Sequence, residues 1–340
     1  MSEKNKRGKG VFRCEISSRD LEIFKLINKY GYVKKSSFIM EFSESNLKFK
    51  NSHLSTRLKK LENYKYIKSN GHSYALDEKG IEELKLNGIS LNYKTLPRGK
   101  DKIIRTYKDA ALMINLDFKH KLSKIETINR EKELGHDVTL IKNFCGTVWN
   151  TEDKKYLVYR VTNIPIFQLV RDMKLDIKNS LIKRIIVTID NISQMKELKD
   201  KVQNLGVKEF LVIPNNSEGI EVLKLYNRGY FDNKHIKEYI EKSNKNIQLE
   251  LEDNNLKING QSTLNLTVLD LKKELNFRAS SYIRKTSSAV VIFSDIYTDY
   301  FIEKSVFKLT EEEEKNGKKE IEQINVRISL EKFKSIMEIE

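Results

Sequence analysis

A cluster of polar and basic side chains between Ser52 and Lys60 is the part of this sequence best suited to chemistry. Hydroxyl, imidazole, guanidinium and ammonium groups donate hydrogen bonds to phosphate oxygens and to base edges of nucleic acids. Leucines recur at helical spacing within Asn51–Asn63, so we expect a helix that buries the leucines and turns its polar groups outward. The polar residues concerned are Ser52, His53, Ser55, Thr56, Arg57, Lys59 and Lys60.

A second group of candidate contacts follows directly. The segment Tyr64–Leu76 contains two strand-like runs around Asn70-Gly71, a dipeptide typical of tight β-hairpins. Such a hairpin would hold its polar residues near the sugar-phosphate backbone. The residues that we expect there are Lys65, Lys68, Asn70, Gly71 and His72.

The elements that must position these groups are a set of short helices. Ser17 and Asp20 form a helix-capping pattern, and the apolar spacing that follows stops at Gly31. A short apolar piece around Phe38 and an amphipathic stretch, 78–86, complete the set. We therefore predict a winged helix-turn-helix over 17–90 that binds double-stranded DNA, preceded by a basic flexible arm, 1–16. The alternative is that the polar residues coat a small domain used for protein contacts in an assembly.

The charge distribution favours nucleic acid as the partner. The chain has 63 Lys+Arg and 48 Asp+Glu, a net charge of +15. Residues 1–100 hold 22 of these bases and 11 of the acids, or +11, which leaves 41 and 37, or +4, for the rest. The positive excess therefore lies on the segment predicted to bind DNA, where it attracts phosphate whatever the base sequence.

Bulk properties narrow the remaining possibilities. A chain of 340 residues suits two or three domains. We find no secretory signal and no apolar run near the ~20 residues that span a bilayer. Cys14 and Cys145 show no metal-ligand spacing, so we expect free thiols in a cytoplasmic protein with neither a cofactor nor a bound metal.

Residues 91–102 lose helical periodicity and are predicted to be a linker to a mixed α/β domain, 103–244. The domain begins with two helical segments that end near Gly135. Three antiparallel-looking strands and an α-β-α-β-α series follow, which is typical of an α+β protein with a restriction-endonuclease-like core. The predicted strands are Val138–Lys142, Phe144–Trp149, Tyr156–Val161, Arg184–Ile189 and Glu209–Ile213, and the predicted helices are Ile166–Ile182, Gln194–Leu205 and Glu218–Tyr226.

A nuclease of that class needs two carboxylates for a divalent metal and a lysine that polarises water. Asp137 is a candidate first acid, but the strand that should supply the second carries Tyr159 and Arg160 instead. Glu152 and Asp153 lie in the preceding turn. We expect a nuclease-like shell without the catalytic site, with a metal-dependent nuclease or nickase as the alternative.

The histidines show no metal-ligand spacing and there is no phosphate-binding glycine loop. Residues 245–340 are predicted to form a small C-terminal α+β region that mediates dimer formation or binds a partner. Within it, Phe277–Ser288 is basic and rich in hydroxyl groups, as expected of a solvated loop or a second phosphate-facing surface.

The run Ser18–Val33, the segment His53–Glu62, the predicted wing and the nuclease-like middle resemble the replication-relaxation family of plasmids and mobile elements in Gram-positive bacteria. The resemblance covers roughly residues 17–239 and is clearest at its start. It implies a sequence-specific DNA-binding protein in replication, in mobilisation as a relaxosome accessory factor, or in transcription control. The implied partners are duplex DNA, a second copy of the chain, and replication or relaxosome proteins.

Overall fold

The chain forms two compact units, residues 1–115 and 116–340. The architecture is mixed α+β, as predicted, with three sheets among the described residues. The computed structural model describes residues 14–43, 51–93, 95–138, 143–161, 164–202, 205–243, 247–253, 255–279, 288–303 and 322–339.

The first unit consists of helices packed on a small antiparallel sheet of strand order β1-β3-β2. Its elements in chain order are α1 (Ser18–Tyr30), β1 (Val33–Lys34), α2 (Lys35–Glu41), α3 (Asn51–Asn63), β2 (Ile67–Asn70), β3 (Ser73–Leu76), α4 (Glu78–Leu86) and α5 (Lys100–Asn115).

Helix α1 begins and ends where the sequence predicts. The Ser17 side chain accepts a hydrogen bond from the Asp20 backbone N–H, the Asp20 carboxylate accepts from the Ser17 N–H, and Gly31 closes the helix with a positive φ of 82°. Ile23, Phe24 and Ile27 of α1 are buried in the core of the unit. Helix α1 therefore has a fixed position in the core, and the following elements pack against it.

Helix α5 differs from its predicted assignment. We expected the domain boundary at 91–102, but α5 packs against α2, β1 and α1 and belongs to the first unit. Its buried face includes Tyr107, Ala110 and Met113. Residues 91–93 and 95–99, expected to be part of a linker, lie within this unit, since the Asn28 side chain accepts from the Asn92 backbone N–H and the Tyr32 hydroxyl donates to the Pro97 carbonyl.

The second unit contains two sheets and the helices that cover them. Its elements in chain order are β4 (His120–Ser123), α6 (Lys124–Glu133), β5 (Gly146–Trp149), β6 (Lys155–Arg160), α7 (Ile166–Ser180), β7 (Arg184–Ile189), α8 (Ile192–Val202), β8 (Glu209–Pro214), α9 (Ser217–Asn227), α10 (Asn233–Ser243), β9 (Leu249–Glu252), β10 (Asn255–Ile258), β11 (Gln261–Leu266), β12 (Leu269–Asp270), α11 (Leu271–Ala279), β13 (Ser288–Ser294), α12 (Thr298–Glu303), β14 (Glu322–Ile328) and α13 (Leu330–Ile336).

The larger sheet has the strand order β12-β8-β7-β6-β5-β4. Strands β6, β7 and β8 are parallel, and each pair is joined by a helix, α7 or α8, because parallel neighbours need a long crossover. Strands β4, β5 and β12 are antiparallel to their neighbours. The side chains of β6, β7 and β8 are almost all buried, which explains their near-continuous apolar sequences.

The predicted C-terminal region is not separate from the middle of the chain. Strand β12 extends the larger sheet by pairing with β8, so the residues after 245 complete a sheet begun earlier. The second sheet, of order β14-β13-β11-β10-β9, shares one apolar core with the first: Leu266 and Val291 lie in the same cluster as Ile185 and Phe210. Residues 116–340 therefore form one unit rather than two.

Several predictions lie at or beyond the edge of the described residues. Of the basic arm, only residues 14–16 are described, and most of the predicted strand Val138–Lys142 and of the segment Phe277–Ser288 also lies outside. Cys14 and Cys145 are both buried free thiols. In the described part of the chain, no helix has the length and apolar character needed to cross a bilayer.

Candidate nucleic-acid interface

Helix α3 presents two different faces. Leu54, Leu58 and Leu61 are fully buried, so their face is fixed against the core of the first unit. The opposite face carries exposed hydroxyl, imidazole and ammonium groups, while Ser55 between them is half-buried and bonded. The exposed predicted contacts are Ser52, His53, Thr56, Lys59 and Lys60.

The hairpin β2–β3 follows α3 after a short turn. Its pairing runs from Ile67↔Leu76 to Asn70↔Ser73, so the two-residue turn is Gly71-His72, one position later than Asn70-Gly71. Gly71 has a φ of 61° and His72 does not share the positive value, which matches a type II′ turn with glycine first. The predicted contacts Lys65, Lys68, Asn70, Gly71 and His72 are all exposed.

Two contacts fix the hairpin within the unit. Glu62 of α3 accepts hydrogen bonds from the hydroxyl and the backbone N–H of Ser69, the latter at 3.2 Å. Gly80 of α4 lies directly against the Tyr66 carbonyl oxygen, where an added Cβ would stand only 2.1 Å away. The hairpin therefore has a defined position relative to α3 and α4.

The exposed surface of α3 and the hairpin is strongly positive. Between Asn51 and His72 the sequence has five basic residues and one acid, Glu62. That acid is bonded to Ser69, and one of the five bases, Arg57, is paired elsewhere. Lys59, Lys60, Lys65 and Lys68 remain exposed, and a field of this sign attracts a polyanion.

Arg57 departs from its predicted role as an outward DNA contact. Its Nε donates to Asp20 Oδ1 at 2.7 Å, and its terminal nitrogen donates to Asp20 Oδ2 and to the Glu15 carbonyl, the latter at 2.7 Å. The Asp20 side chain is only 1% exposed and that of Arg57 is 24% exposed. Arg57 is thus a positioning residue that ties α3 to the start of α1.

The charged state of Asp20 depends on this network. Burial opposes ionisation, but hydrogen bonds from Arg57 and Ser17 outweigh it and hold the pKa of Asp20 below its usual value. The sequence held a signal for the partial burial of Arg57, though not for its partner. Position 57 continues the i, i+3, i+4, i+7 stripe of Leu54, Leu58 and Leu61, so its side chain leans toward the core.

The positions compared with a nuclease site lie in the second unit. Asp137 is exposed and Arg160 is 7% exposed, and both are bonded. Tyr159 is fully buried and donates to Asp176 Oδ2 at 2.7 Å, and burial raises the pKa of Tyr159 well above its usual value. Tyr156 is likewise buried and donates to Glu209 at 2.8 Å.

Glu152 and Asp153 are exposed in the turn between β5 and β6, where each forms an ion pair with a lysine. The described residues contain no group of three or more His, Cys, Asp or Glu side chains arranged to hold a metal ion. The structure therefore does not gather the predicted nuclease residues into one site.

The chain matches no known family model, no curated protein and no solved structure. The resemblance to the replication-relaxation family accordingly stays a prediction from the sequence.

Proposed function

We propose that the first unit is a winged helix-turn-helix domain that binds double-stranded DNA, with α3 in the major groove and the β2–β3 hairpin over the sugar-phosphate backbone. The order α1-β1-α2-α3-β2-β3 supports this, as does a sheet in which β1 pairs with the second hairpin strand. A helix of 13 residues is about 20 Å long and fits a groove about 12 Å wide.

One observation carries the proposal: the outward face of α3 and the hairpin together expose four lysines and a set of hydrogen-bonding groups, while the one acid in that stretch is bonded to Ser69. Lys59, Lys60, Lys65 and Lys68 neutralise phosphates. Sequence selectivity comes from the shorter polar side chains on α3, whose donors and acceptors match those of base edges in the groove. The residues in that role are Ser52, His53 and Thr56.

Thr56 and Arg57 illustrate two different parts in this interface. The Thr56 hydroxyl donates to the Ser52 carbonyl at 3.2 Å and so offers its lone pairs outward as an acceptor. Arg57 holds α3 in place through Asp20 and touches no DNA. Loss of DNA binding on replacing Arg57 would therefore reflect a displaced helix and not a lost phosphate contact.

The test is fluorescence anisotropy of a labelled random-sequence duplex titrated with full-length protein. Replacing Lys59 and Lys60 by Ala should weaken binding about tenfold or more at moderate salt, and should reduce the dependence of log K on log salt by about 2, one for each phosphate contact. The matched control replaces Lys174 and Lys178, two exposed lysines four residues apart on α7, and should leave both quantities unchanged. Equal losses in the two variants would refute the interface.

We further propose that binding is sequence-specific and serves replication, mobilisation or transcription control on a mobile element. This rests on the sequence resemblance together with the base-reading groups on α3. Repeated selection from a random duplex pool should yield a consensus, and replacing Ser52, His53 and Thr56 by Ala should abolish the preference while retaining salt-sensitive binding. A pool that stays random after selection would contradict specificity.

A further inference from the structure

The second unit contains a cavity of about 180 Å³ beside the edge of the larger sheet. At ~30 Å³ per molecule, this is room for roughly six waters, the size of a small metabolite. Strand β8 supplies one wall, and β12 with the first turn of α11 supplies another. The residues that give it its chemical character are Glu209, Leu211, Phe231, Val268, Asp270 and Lys273.

Glu209 forms part of an acidic end. Tyr156 donates to one of its oxygens at 2.8 Å and Tyr226 donates to the other, and the Arg184 Nε lies 3.5 Å away. Burial beside this carboxylate raises the pKa of Tyr156 and of Tyr226 above the usual value. Glu209 is thus held as a fixed carboxylate at one end of the cavity.

Asp270 adds a second carboxylate and is 9% exposed. Its Oδ1 accepts backbone N–H groups of Phe210, Lys272 and Lys273 at 2.9 to 3.2 Å, which accounts for the start of α11. Among the described residues, no donor reaches its Oδ2. Burial raises the pKa of Asp270 above its usual value despite the backbone donors, so a cation at Oδ2 would favour the charged carboxylate.

Lys273 gives the cavity a positive group. Lys273 is exposed as a whole residue, and in the described part of the chain its ammonium has no carboxylate oxygen within ion-pair distance, 4.0 Å. Burial around the ammonium lowers the pKa of Lys273 below its usual value, although Asp270 and Glu209 act in the other direction. An anion beside it would favour the charged ammonium.

The third part of the lining is apolar. Leu211 and Val268 are buried, and Phe231 is 6% exposed. A site lined by two carboxylates, one ammonium and an aliphatic-aromatic surface matches a ligand that has the complementary three groups.

We propose that this cavity binds a small zwitterion, an α-amino acid with a short aliphatic side chain. The ligand ammonium bonds to Asp270 Oδ2 and faces Glu209. The ligand carboxylate bonds to Lys273, and the aliphatic side chain packs on Leu211, Phe231 and Val268. Because Arg184 balances Glu209, the ligand ammonium balances Asp270 and the ligand carboxylate balances Lys273.

A divalent cation fits the same cavity less well. Both oxygens of Glu209 already accept tyrosine hydroxyls, and Asp270 Oδ1 accepts three N–H groups, so few ligand positions remain for an ion that prefers at least six oxygens. The Lys273 ammonium would also repel it. The charge pattern favours an organic ligand carrying both signs.

The experiment is calorimetric titration of the full-length protein with alanine, valine and leucine, and separately with methylamine, acetate and Mg²⁺. Binding of at least one of the amino acids is expected, with the single-charge probes and Mg²⁺ at least about tenfold weaker. Absence of binding by all three amino acids, or equal binding of acetate, methylamine or Mg²⁺, would overturn the proposal.

Variants then locate the ligand. Asp270→Asn keeps a residue able to cap α11, and Lys273→Gln changes an exposed side chain, so both should fold; each should weaken amino-acid binding about tenfold or more. Lys272→Gln is the matched control, because its side chain does not line the cavity, and it should bind normally. Equal weakening by Lys272→Gln, or unchanged binding in Lys273→Gln, would contradict the site. These titrations contain no DNA and stand apart from the proposed DNA-binding function.

Discussion

Charged groups are used in opposite ways in the two units. The first unit leaves lysines of α3 and the hairpin exposed, with one bonded acid among them. The second unit buries carboxylates and pairs two of them internally: Glu131 binds Lys155 at 2.5 Å and His136 at 2.7 Å, and Glu274 binds Lys199 and Tyr300.

The charged groups of the two units therefore have different roles. Exposed side chains that share one sign of charge do not stabilise their own unit. They favour binding of an external partner of opposite charge. Burial of a carboxylate destabilises the folded state unless hydrogen-bond donors surround it. Because those donors must be in place, the carboxylate specifies the arrangement of the elements around it. Within the described residues of the first unit, the buried network of this kind is Asp20 with Arg57, and it fixes the helix that carries the exposed charges.

The largest expected effect comes from breaking that network. Arg57→Ala leaves the Asp20 carboxylate buried without its partner and should lower the free energy of unfolding of the first unit by about 3 kcal/mol. Far-UV circular dichroism follows the loss, while fluorescence of Trp149, the single tryptophan, reports on the second unit. Lys60→Ala is the control, because its side chain is exposed and should cost less than about 0.5 kcal/mol. Similar stability for the two variants would show that Arg57 is not a positioning residue.

A matched pair of glycines compares backbone packing in the two units. A Cβ on Gly80 would stand 2.1 Å from the Tyr66 carbonyl oxygen, and one on Gly219 would stand 2.1 Å from that of Pro214. Either Gly→Ala change should therefore cost about 1–3 kcal/mol. Gly80→Ala should also weaken DNA binding, because it moves the hairpin. Gly219→Ala should shift mainly the unfolding transition that Trp149 fluorescence reports. If the Gly80→Ala variant is fully folded and its DNA affinity is unchanged, the hairpin has no role in DNA binding.

The capping serines should have smaller effects. Ser17 and Ser123 each begin a helix with a reciprocal capping box, through Asp20 and Glu126. Ser→Ala should cost about 1 kcal/mol at each site, and more at Ser17, because the Ser17 hydroxyl also donates to the Asp20 carboxylate at 2.6 Å. Thermal melts of both single variants and of wild type provide the comparison. A larger loss for Ser123→Ala would contradict the special role of the Asp20 network.

The smallest of these effects near neutral pH should be the pH dependence of the stability of the first unit. The folded pKa of Asp20 lies below the ordinary 3.8, so its contribution to stability is complete well above 3.8 and is lost as the pH falls through the folded value. Asp20→Asn should therefore flatten the fall in stability below about pH 4. Dichroism melts at pH 5, 4 and 3 measure this, and parallel curves for variant and wild type would contradict it.

Much of the fold followed from local sequence signals. The bounds of α4 and β7 match their predictions, because periodicity, buried-strand composition and flanking turn residues all act locally. Strands β1, β4 and β12 were missed because each is short and exists only through pairing with a distant strand. Asp270 shows the same limit: Leu269 and Asp270 pair with β8 before α11 starts, and no local sequence signal gives that pairing.

The candidate interface was partly predictable. Exposure of Ser52, His53, Thr56, Lys59 and Lys60 follows from the buried leucine stripe of α3. The pairing of Arg57 with Asp20 depends on how two helices cross, which periodicity alone does not give. The cavity in the second unit was not predicted, because Glu209 and Asp270 are distant in the sequence and meet only through the β8–β12 pairing.

Site-specific photo-crosslinking tests the central claim most directly. A benzophenone side chain introduced at Thr56, on the outward face of α3, should crosslink to duplex DNA in a salt-sensitive manner, whereas the same group at Leu181, which is 61% exposed in the second unit, should not. DNA that crosslinks from Leu181 but not from Thr56, in protein that still binds the duplex, would contradict the account.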